Sequence, residues 1–295
     1  MTTCTGVDPR AFFKRVVFSG AAIACLFIAG GAMQQKCASY PKLDRFEVLQ
    51  YLFHPRKEPP SEPMQGAVDY AIAVDTDAVI VCRFYPAGSR APAILFFHGN
   101  GETVEEYAEI AAMYNRLGIS LLAVEYRGYG RSTGKPAASS MISDAHRIFT
   151  EVRKWRMQQK HGGPLFVMGR SLGSAPAIEL AARYEAELAG LIIESGFAYT
   201  EPLLRFLGVD TKGLGITEAD CFGNFEKIKE FKKPLLVIHA QLDQFIPVSD
   251  AETLMKNCPS RRKQLQVIPR ADHNSILGFA GSDYFRFIKQ FIDGQ

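Results

Sequence analysis

Apolar residues follow two alternating patterns from residue 68 onward. Short continuous apolar runs predict strands that are buried on both faces, and longer runs with a period near 3.6 predict amphipathic helices. The predicted strands comprise residues 68–74, 78–85, 93–98, 120–126, 165–169, 188–195, 235–240 and 264–269. The predicted helices comprise about 104–117, 141–155, 171–186, 249–258 and 279–292. The pattern predicts an α/β fold with a mostly parallel, twisted sheet of about eight strands, which opens with a hairpin and carries helices on both faces.

Three regions follow from the spacing of these elements. Residues 1–34 form an N-terminal segment, the proline-rich residues 35–66 a connector, and residues 67–295 the catalytic domain. About 40 residues separate the sixth and seventh strands, which is too long for a simple loop. Because two short helices are predicted there, we interpret residues 197–233 as a small lid; a plain crossover helix with an irregular loop is the alternative.

The N-terminal segment contains a charge-free apolar stretch, residues 16–33, directly after Lys14 and Arg15. As a helix it would span roughly 27 Å, close to the ~30 Å hydrocarbon core of a bilayer. An uncleaved signal anchor is the first interpretation, ahead of a cleaved secretory signal with small residues at 30–32 and of lipidation at Cys25. The chain is expected to be membrane-anchored or exported, and basic residues at both flanks leave the side of the membrane open.

Composition excludes several classes of protein. The chain has 295 residues, 47% hydrophobic residues and a net charge of +3, with no basic run interleaved with aromatic residues, so no nucleic-acid partner is expected. The six cysteines, at positions 4, 25, 37, 82, 221 and 258, include no CxxC pair and no zinc-like spacing with histidine. A disulfide-dense scaffold is excluded, a single bridge is not, and neither a metal nor a cofactor is expected.

The segment GRSLG, residues 169–173, matches the pattern G-x-S-x-G. It follows an apolar strand and opens a helix, which is the setting of a nucleophile elbow. Glycine is required on both sides because the turn strains the serine backbone and brings its neighbours against other backbone segments. Ser171 is the predicted nucleophile.

The base and the acid are expected in the order serine, acid, histidine. His273 lies between the last predicted strand and the last helix, and Asp243 follows a neighbouring strand, so both can converge on the serine. The carboxylate would hold the imidazole tautomer. Glu194, at the end of the preceding strand, is the main rival for this role. Asp250 is better explained as an N-cap of its own helix, and Asp272 is poorly placed to reach the ring of its neighbour.

The segment HGNGE, residues 98–102, closes the third predicted strand. A strand that ends in histidine, glycine and small residues suits a loop that presents a backbone N–H to an oxyanion. The expected donors are the N–H groups of Leu172 and Asn100, with Gly101 as the alternative to Asn100.

Taken together, these segments resemble serine hydrolases of the α/β-hydrolase fold. The resemblance spans about residues 68–292 and rests on FFHGNGE, EYRGYGRSTGKP, GRSLG, QLDQFIP and ADHN in this order. The chain is most similar to small-lid, membrane-associated α/β-hydrolase-domain proteins, a group that includes acyl-protein thioesterases and monoacylglycerol lipases. The resemblance implies a triad of Ser171, Asp243 and His273 without a metal or cofactor.

The predicted reaction is hydrolysis of a carboxylic ester or thioester through an acyl-enzyme. A small-molecule or acylated substrate is expected, and the apolar N-terminus favours a lipid-like one. A serine peptidase of the same fold and a catalytically silent binding protein are the alternatives.

Overall fold

Eight strands form one sheet in the computed structural model, which describes residues 39–59 and 62–294. In chain order they are β1 (Val68–Ala73), β2 (Val79–Tyr85), β3 (Ala93–Phe97), β4 (Ser120–Val124), β5 (Leu165–Arg170), β6 (Gly190–Glu194), β7 (Leu235–Ala240) and β8 (Lys263–Ile268). Their order across the sheet is β1-β2-β4-β3-β5-β6-β7-β8. The five central strands of the sheet are apolar and buried, as their continuous apolar runs predict; in sheet order they are β4, β3, β5, β6 and β7.

The sheet is mixed, and it is mostly parallel as predicted. β1 pairs with β2, and β2 with β4, in antiparallel orientation, whereas the other neighbouring strands are parallel. β1 and β2 are joined by a tight turn in which Val74 N–H donates to the Ala78 carbonyl at 3.0 Å. A connection this short can only join antiparallel strands, and the predicted hairpin is present.

Helices cover both faces of the sheet. They are α1 (Phe46–Leu52), α2 (Ala108–Arg116), α3 (Ala138–Gln158), α4 (Ser174–Arg183), α5 (Thr200–Phe206), α6 (Asn224–Lys227), α7 (Val248–Asn257), α8 (Ile276–Ala280) and α9 (Ser282–Asp293). One buried core lies between the sheet and α1, α3, α4, α5 and α7. A second lies between the opposite face and α2, α8 and α9. The apolar faces of these helices are therefore buried against the sheet on both of its faces.

Several predicted boundaries differ from the structure. The connector contains α1, a helix that its proline content did not predict. The final predicted helix is interrupted at Gly281, whose φ of 52° separates α8 from α9. The apolar stretch at residues 16–33 and Cys25 lie outside the described residues. Among residues 39–59 and 62–294, none of the helices combines the length and apolar character that crossing a bilayer requires.

The connector packs on the segment between β6 and β7, which we call the insert (residues 197–233). Lys42 Nζ donates to the Gly215 carbonyl at 2.6 Å and pairs with Asp220 at 2.9 Å. The ring of Tyr40 packs edge-on against Phe222, with centroids 5.3 Å apart. The connector and the insert therefore form one layer, which lies over the carboxyl ends of the central strands.

Candidate active site

Ser171 directly follows β5 and has a φ of 50°, a conformation that residues other than glycine rarely adopt. Both flanking glycines are required by close packing. A Cβ at Gly169 would collide with the Gly173 carbonyl, and a Cβ at Gly173 would collide with the Phe97 carbonyl. The turn thus holds the serine side chain at the carboxyl edge of the sheet with its backbone strained.

The structure brings the three predicted triad residues together. His273 Nε2 lies 2.9 Å from Ser171 Oγ, and His273 Nδ1 lies 2.7 Å from Asp243 Oδ2. An ionised carboxylate can only accept a hydrogen bond, so Nδ1–H is the donor to Asp243. In the neutral imidazole Nε2 is then unprotonated and accepts from the serine hydroxyl. The arrangement can remove a proton from Ser171.

The side chain of Asp243 is fully buried and is held by backbone N–H groups. Its Oδ1 accepts from the N–H groups of Phe245 (3.0 Å) and Ile246 (2.9 Å). Burial alone would raise the pKa of this carboxyl, but the hydrogen bond and charge of His273 outweigh burial, so the pKa is below its usual value. The acid is therefore ionised at neutral pH and fixed in orientation.

A second histidine lies beneath the acid. His239 Nε2 is 3.7 Å from Asp243 Oδ2 and donates to the Ile246 carbonyl at 2.8 Å. Burial lowers the pKa of His239, so this imidazole is neutral at physiological pH. It supports the Asp243 loop without adding a competing positive charge.

Glu194, the rival acid, is engaged elsewhere. Tyr284 Oη donates to Glu194 Oε2 at 2.5 Å, and Arg170 Nε donates to Oε1 at 3.1 Å. The two other candidate carboxylates, Asp250 and Asp272, also make contacts away from the imidazole. Contrary to the predicted N-cap, Asp250 lies inside the first turn of α7, whose N-cap residue is Pro247, and it accepts from the backbone N–H of Ala198 at 2.7 Å.

Asp272 stabilises the turn that carries the base. Its Oδ1 accepts from the Ser275 hydroxyl at 2.7 Å and from the Asn274 N–H at 3.1 Å. The sequence-based choice among four carboxylates thus corresponds to the one that contacts the imidazole.

The predicted oxyanion loop is anchored by a buried histidine. His98 Nδ1 donates to the Gly99 carbonyl at 2.7 Å, and His98 Nε2 lies 3.1 Å from Glu125 Oε2. Tyr126 Oη donates to the His98 carbonyl at 2.7 Å. Because His98 and Glu125 are buried, these bonds fix the end of β3 and the turn that follows it.

The side chain of Asn100 ties this loop to the connector. Asn100 Oδ1 accepts from the backbone N–H of His54 (2.8 Å) and from Tyr129 Oη (2.6 Å). Two donors on Oδ1 fix the amide orientation, so Nδ2 donates to His54 Nδ1 at 2.8 Å. His54 lies in the proline-rich connector, where the local sequence does not indicate this contact with the site.

A cavity of about 240 Å³ opens beside Ser171. Its apolar wall comes from α1, the insert and the Asp243 loop, and its polar wall from the elbow and the two loops beside it. It is lined by Leu52, His54, Asn100, Arg170, Ser171, Leu172, Leu203, Leu207, Phe245, Ile246, His273 and Asn274. Both predicted oxyanion donors, Leu172 and Asn100, therefore lie on this wall. Gly101, the alternative donor, lies next to them, and its carbonyl accepts from Arg56 at 2.9 Å.

The apolar wall was not predicted from the sequence. Leu52 belongs to α1, which was not predicted because the surrounding connector is rich in proline. Leu203 and Leu207 belong to the insert, where amphipathic spacing does not indicate which surface the apolar face contacts. Within the described part of the chain, no group of three or more His, Cys, Asp or Glu side chains is arranged to hold a metal ion.

Comparisons with known proteins find one matching family and several relatives. Residues 88–211, which include Ser171, match the family described as serine aminopeptidase, S33. The Xenopus tropicalis protein named alpha/beta hydrolase domain-containing protein 17B is 28% identical over 216 residues, covering 72% of this chain and 70% of that protein.

Solved structures are similar over most of the chain. An esterase of Pyrococcus furiosus superposes with a TM-score of 0.65 at 16% identity, covering 81% of this chain and 98% of the esterase. A soluble variant of monoglyceride lipase from Saccharomyces cerevisiae, in complex with a substrate analogue, gives 0.59 at 18% identity, covering 82% and 98%. The chain has the α/β-hydrolase fold.

Proposed function

We propose that this α/β-hydrolase-fold chain is a serine hydrolase that cleaves carboxylic esters or thioesters through an acyl-enzyme. The observation that supports this most strongly is the continuous hydrogen-bonded series from Ser171 through His273 to Asp243, at the wall of a cavity. A strained serine with an imidazole in contact and a buried carboxylate behind it is the arrangement that activates a hydroxyl as a nucleophile.

In the proposed reaction, Ser171 Oγ attacks the carbonyl carbon while His273 Nε2 takes the hydroxyl proton. The N–H groups of Leu172 and Asn100 stabilise the tetrahedral oxyanion, each contributing about 3 kcal/mol. His273 then returns the proton to the leaving alcohol or thiol, and the acyl group stays on the serine. A water molecule, deprotonated by His273, releases the acid and regenerates the enzyme. Asp243 stabilises the imidazolium at each step.

The apolar wall of the cavity supports an acyl chain as the substrate group that enters it. Leu52, Leu203 and Leu207 present aliphatic surface from α1 and the insert, and the insert would thus act as a lid. Each methylene that enters should strengthen transition-state binding by roughly 0.8 kcal/mol, about fourfold in kcat/KM, until the cavity is filled. The structural likeness to a monoglyceride lipase favours the same class of substrate.

A peptidase is the second candidate, because the matching family is described as a serine aminopeptidase. Its chemistry is the same, but the leaving group is an amine. Matched ester and amide substrates with one acyl group separate the two: a higher kcat/KM for the amide would favour the peptidase.

The activity is tested with nitrophenyl esters and thioesters of increasing acyl length, on wild type, Ser171→Ala and the control Ser282→Ala, which changes an exposed serine. For wild type we expect kcat/KM to rise from acetyl toward medium acyl chains. Ser171→Ala should lower kcat/KM by at least about 10³, whereas Ser282→Ala should not lower it. Rates that are flat or highest for acetyl would contradict the acyl-chain proposal. A wild type without activity that also fails to react with a fluorophosphonate would favour the binding-protein alternative.

We also propose that residues 16–33 bring the enzyme to a membrane, a proposal that rests on the sequence alone. The full chain should sediment with membranes and resist alkaline carbonate extraction, whereas a chain that begins at residue 35 should not. The intact mass of the expressed protein distinguishes an anchor from a cleaved signal or a lipid on Cys25. Recovery of the uncleaved full chain in the soluble fraction would contradict the proposal.

A further inference from the structure

One side chain, Arg170, contacts two loops of the candidate active site and the end of β6. Its Nε donates to Glu194 Oε1 at 3.1 Å, and its Nη1 forms an ion pair with Glu102. Its Nη2 donates to the His273 carbonyl and to Asn274 Oδ1, both at 3.0 Å. Only 12% of the side chain is exposed. All three nitrogens of the guanidinium are therefore engaged at fixed positions.

The contact on Glu102 reaches the predicted oxyanion loop. Glu102 Oε2 accepts from the backbone N–H of Gly99 at 2.7 Å and from Tyr107 Oη at 2.5 Å. A Cβ at Gly99 would collide with both Arg170 and Glu102, so the loop is packed directly against the ion pair. Because Gly99 precedes Asn100, the ion pair fixes the backbone beside a predicted oxyanion donor.

The contacts on the opposite side hold the base. A hydrogen bond to the His273 carbonyl restrains the backbone that carries the imidazole, and the bond to Asn274 restrains the next residue. Glu194 orients the guanidinium and is itself fixed by Tyr284 Oη. The plane of Arg170 thus lies between the loop of the base and the loop of the oxyanion donor.

We propose that Arg170 is a positioning residue that couples the oxyanion loop to the loop of His273. This deepens the proposed function and rests on it. A planar guanidinium with five N–H donors can satisfy two carboxylates and two carbonyl-type oxygens simultaneously, whereas a lysine ammonium has three donors and no fixed plane. Because its charge is matched by Glu102 and Glu194, Arg170 orients loops and does not act as a receptor for an anionic substrate.

The structural part is tested by hydrogen exchange, which needs no substrate. Arg170→Gln and Arg170→Lys are compared with Arg116→Gln, which changes an exposed arginine on α2. We expect amide exchange to speed up about tenfold or more at residues 98–102 and 271–276 in both Arg170 variants, with β4 and α9 unchanged. Unchanged exchange in either loop would overturn the coupling.

The functional part is tested by kinetics. For Arg170→Gln we expect kcat to fall about 10²-fold, because small displacements of reacting groups cost this much, while KM changes less than about threefold. The rate of fluorophosphonate labelling of folded protein should fall in parallel. A loss of thermal stability with an unchanged labelling rate would mean that Arg170 is only structural.

A double-mutant cycle isolates the coupling. Glu102→Gln and Asn274→Ala change residues on opposite sides of Arg170. In a background that keeps Arg170, their effects on kcat/KM should depart from additivity by about threefold or more. In the Arg170→Gln background, the two effects should be additive. Additivity in both backgrounds would contradict the proposal. If the wild-type enzyme neither hydrolyses esters nor reacts with a fluorophosphonate, the proposed function is wrong. The hydrogen-exchange measurement would still decide whether Arg170 couples the two loops.

Discussion

At the scale of single residues, the geometry of the site depends on two glycines, whose lack of a side chain leaves room for close backbone packing. Ser171 can keep its φ of 50° only because Gly169 and Gly173 leave room for neighbouring carbonyls. The strain, of order 1–3 kcal/mol, is held by the packing of β5 and α4 around the turn. The turn therefore places the Ser171 side chain at the wall of the cavity.

Replacing Gly173 with alanine tests this packing. Its Cβ would collide with the Phe97 carbonyl, so we expect a loss of roughly 2–3 kcal/mol in the free energy of unfolding, measured with urea, together with a loss of labelling at Ser171. Gly162→Ala is the matched control, since no atom lies within 4 Å of its added Cβ. Equal stability of the two variants would refute the steric argument.

Replacing Asp243 with asparagine tests the choice of acid. An amide would favour the wrong tautomer of His273, so kcat should fall about 10⁴-fold with little change in stability. Glu194→Gln should lower kcat no more than about tenfold, because Glu194 contacts Arg170 and not the imidazole. A larger loss in Glu194→Gln than in Asp243→Asn would reverse the assignment.

At the scale of elements, α1 is a wall of the active site although it precedes the sheet in sequence. Leu52 is almost completely buried and faces the cavity, and the adjoining His54 holds Asn100. The connector therefore lines the cavity and holds the loop of the predicted oxyanion donor Asn100.

A bulkier residue at Leu52 should shorten the cavity. For Leu52→Phe we expect the ratio of kcat/KM for decanoyl to butyryl esters to fall by about tenfold, whereas Leu49→Phe on the same helix leaves the ratio unchanged. An unchanged ratio in Leu52→Phe would mean that the acyl chain does not reach α1.

The elements also explain what the sequence could predict. Buried strands have continuous apolar runs, and Ser171 and Asp243 each follow such a run. His273 follows β8, which is more polar and more exposed, but all three residues lie after parallel strands, so their meeting point at one sheet edge was predictable. α1 was missed because seven residues give too few turns for a periodic signal beside a proline-rich segment. The antiparallel pairing of β2 with β4 and the contacts of Arg170 join residues far apart in the chain, which local patterns do not encode.

At the scale of the whole molecule, one largely buried carboxylate joins α3, α4 and the insert. Glu179 on α4 pairs with Lys227 of the insert at 2.7 Å and contacts His146 Nε2 on α3 at 3.0 Å. Burial opposes ionisation of Glu179, but the hydrogen bond from His146 and the charge of Lys227 outweigh it and lower its pKa to about 2. The ionised form therefore stabilises the attachment of the insert.

This contribution should depend on pH. Because the pKa of Glu179 is lower in the folded chain than in the unfolded chain, its contribution to the free energy of unfolding is present above pH 4.5. This contribution is lost as the pH falls toward 2. Glu179→Gln should cost roughly 2–3 kcal/mol in urea unfolding at pH 7 and much less near pH 2.5. Glu226→Gln, at an exposed ion pair, is the control and should cost less than about 0.5 kcal/mol. A penalty for Glu179→Gln that is the same at both pH values would contradict the account.

The covalent intermediate tests the central claim most directly. The enzyme is mixed with its preferred ester, quenched in acid within milliseconds, and analysed by intact mass and peptide mapping. The account predicts one added acyl group on Ser171, absent in Ser171→Ala and formed far more slowly in His273→Gln. An acyl group on another residue, or undiminished turnover by Ser171→Ala, would contradict it.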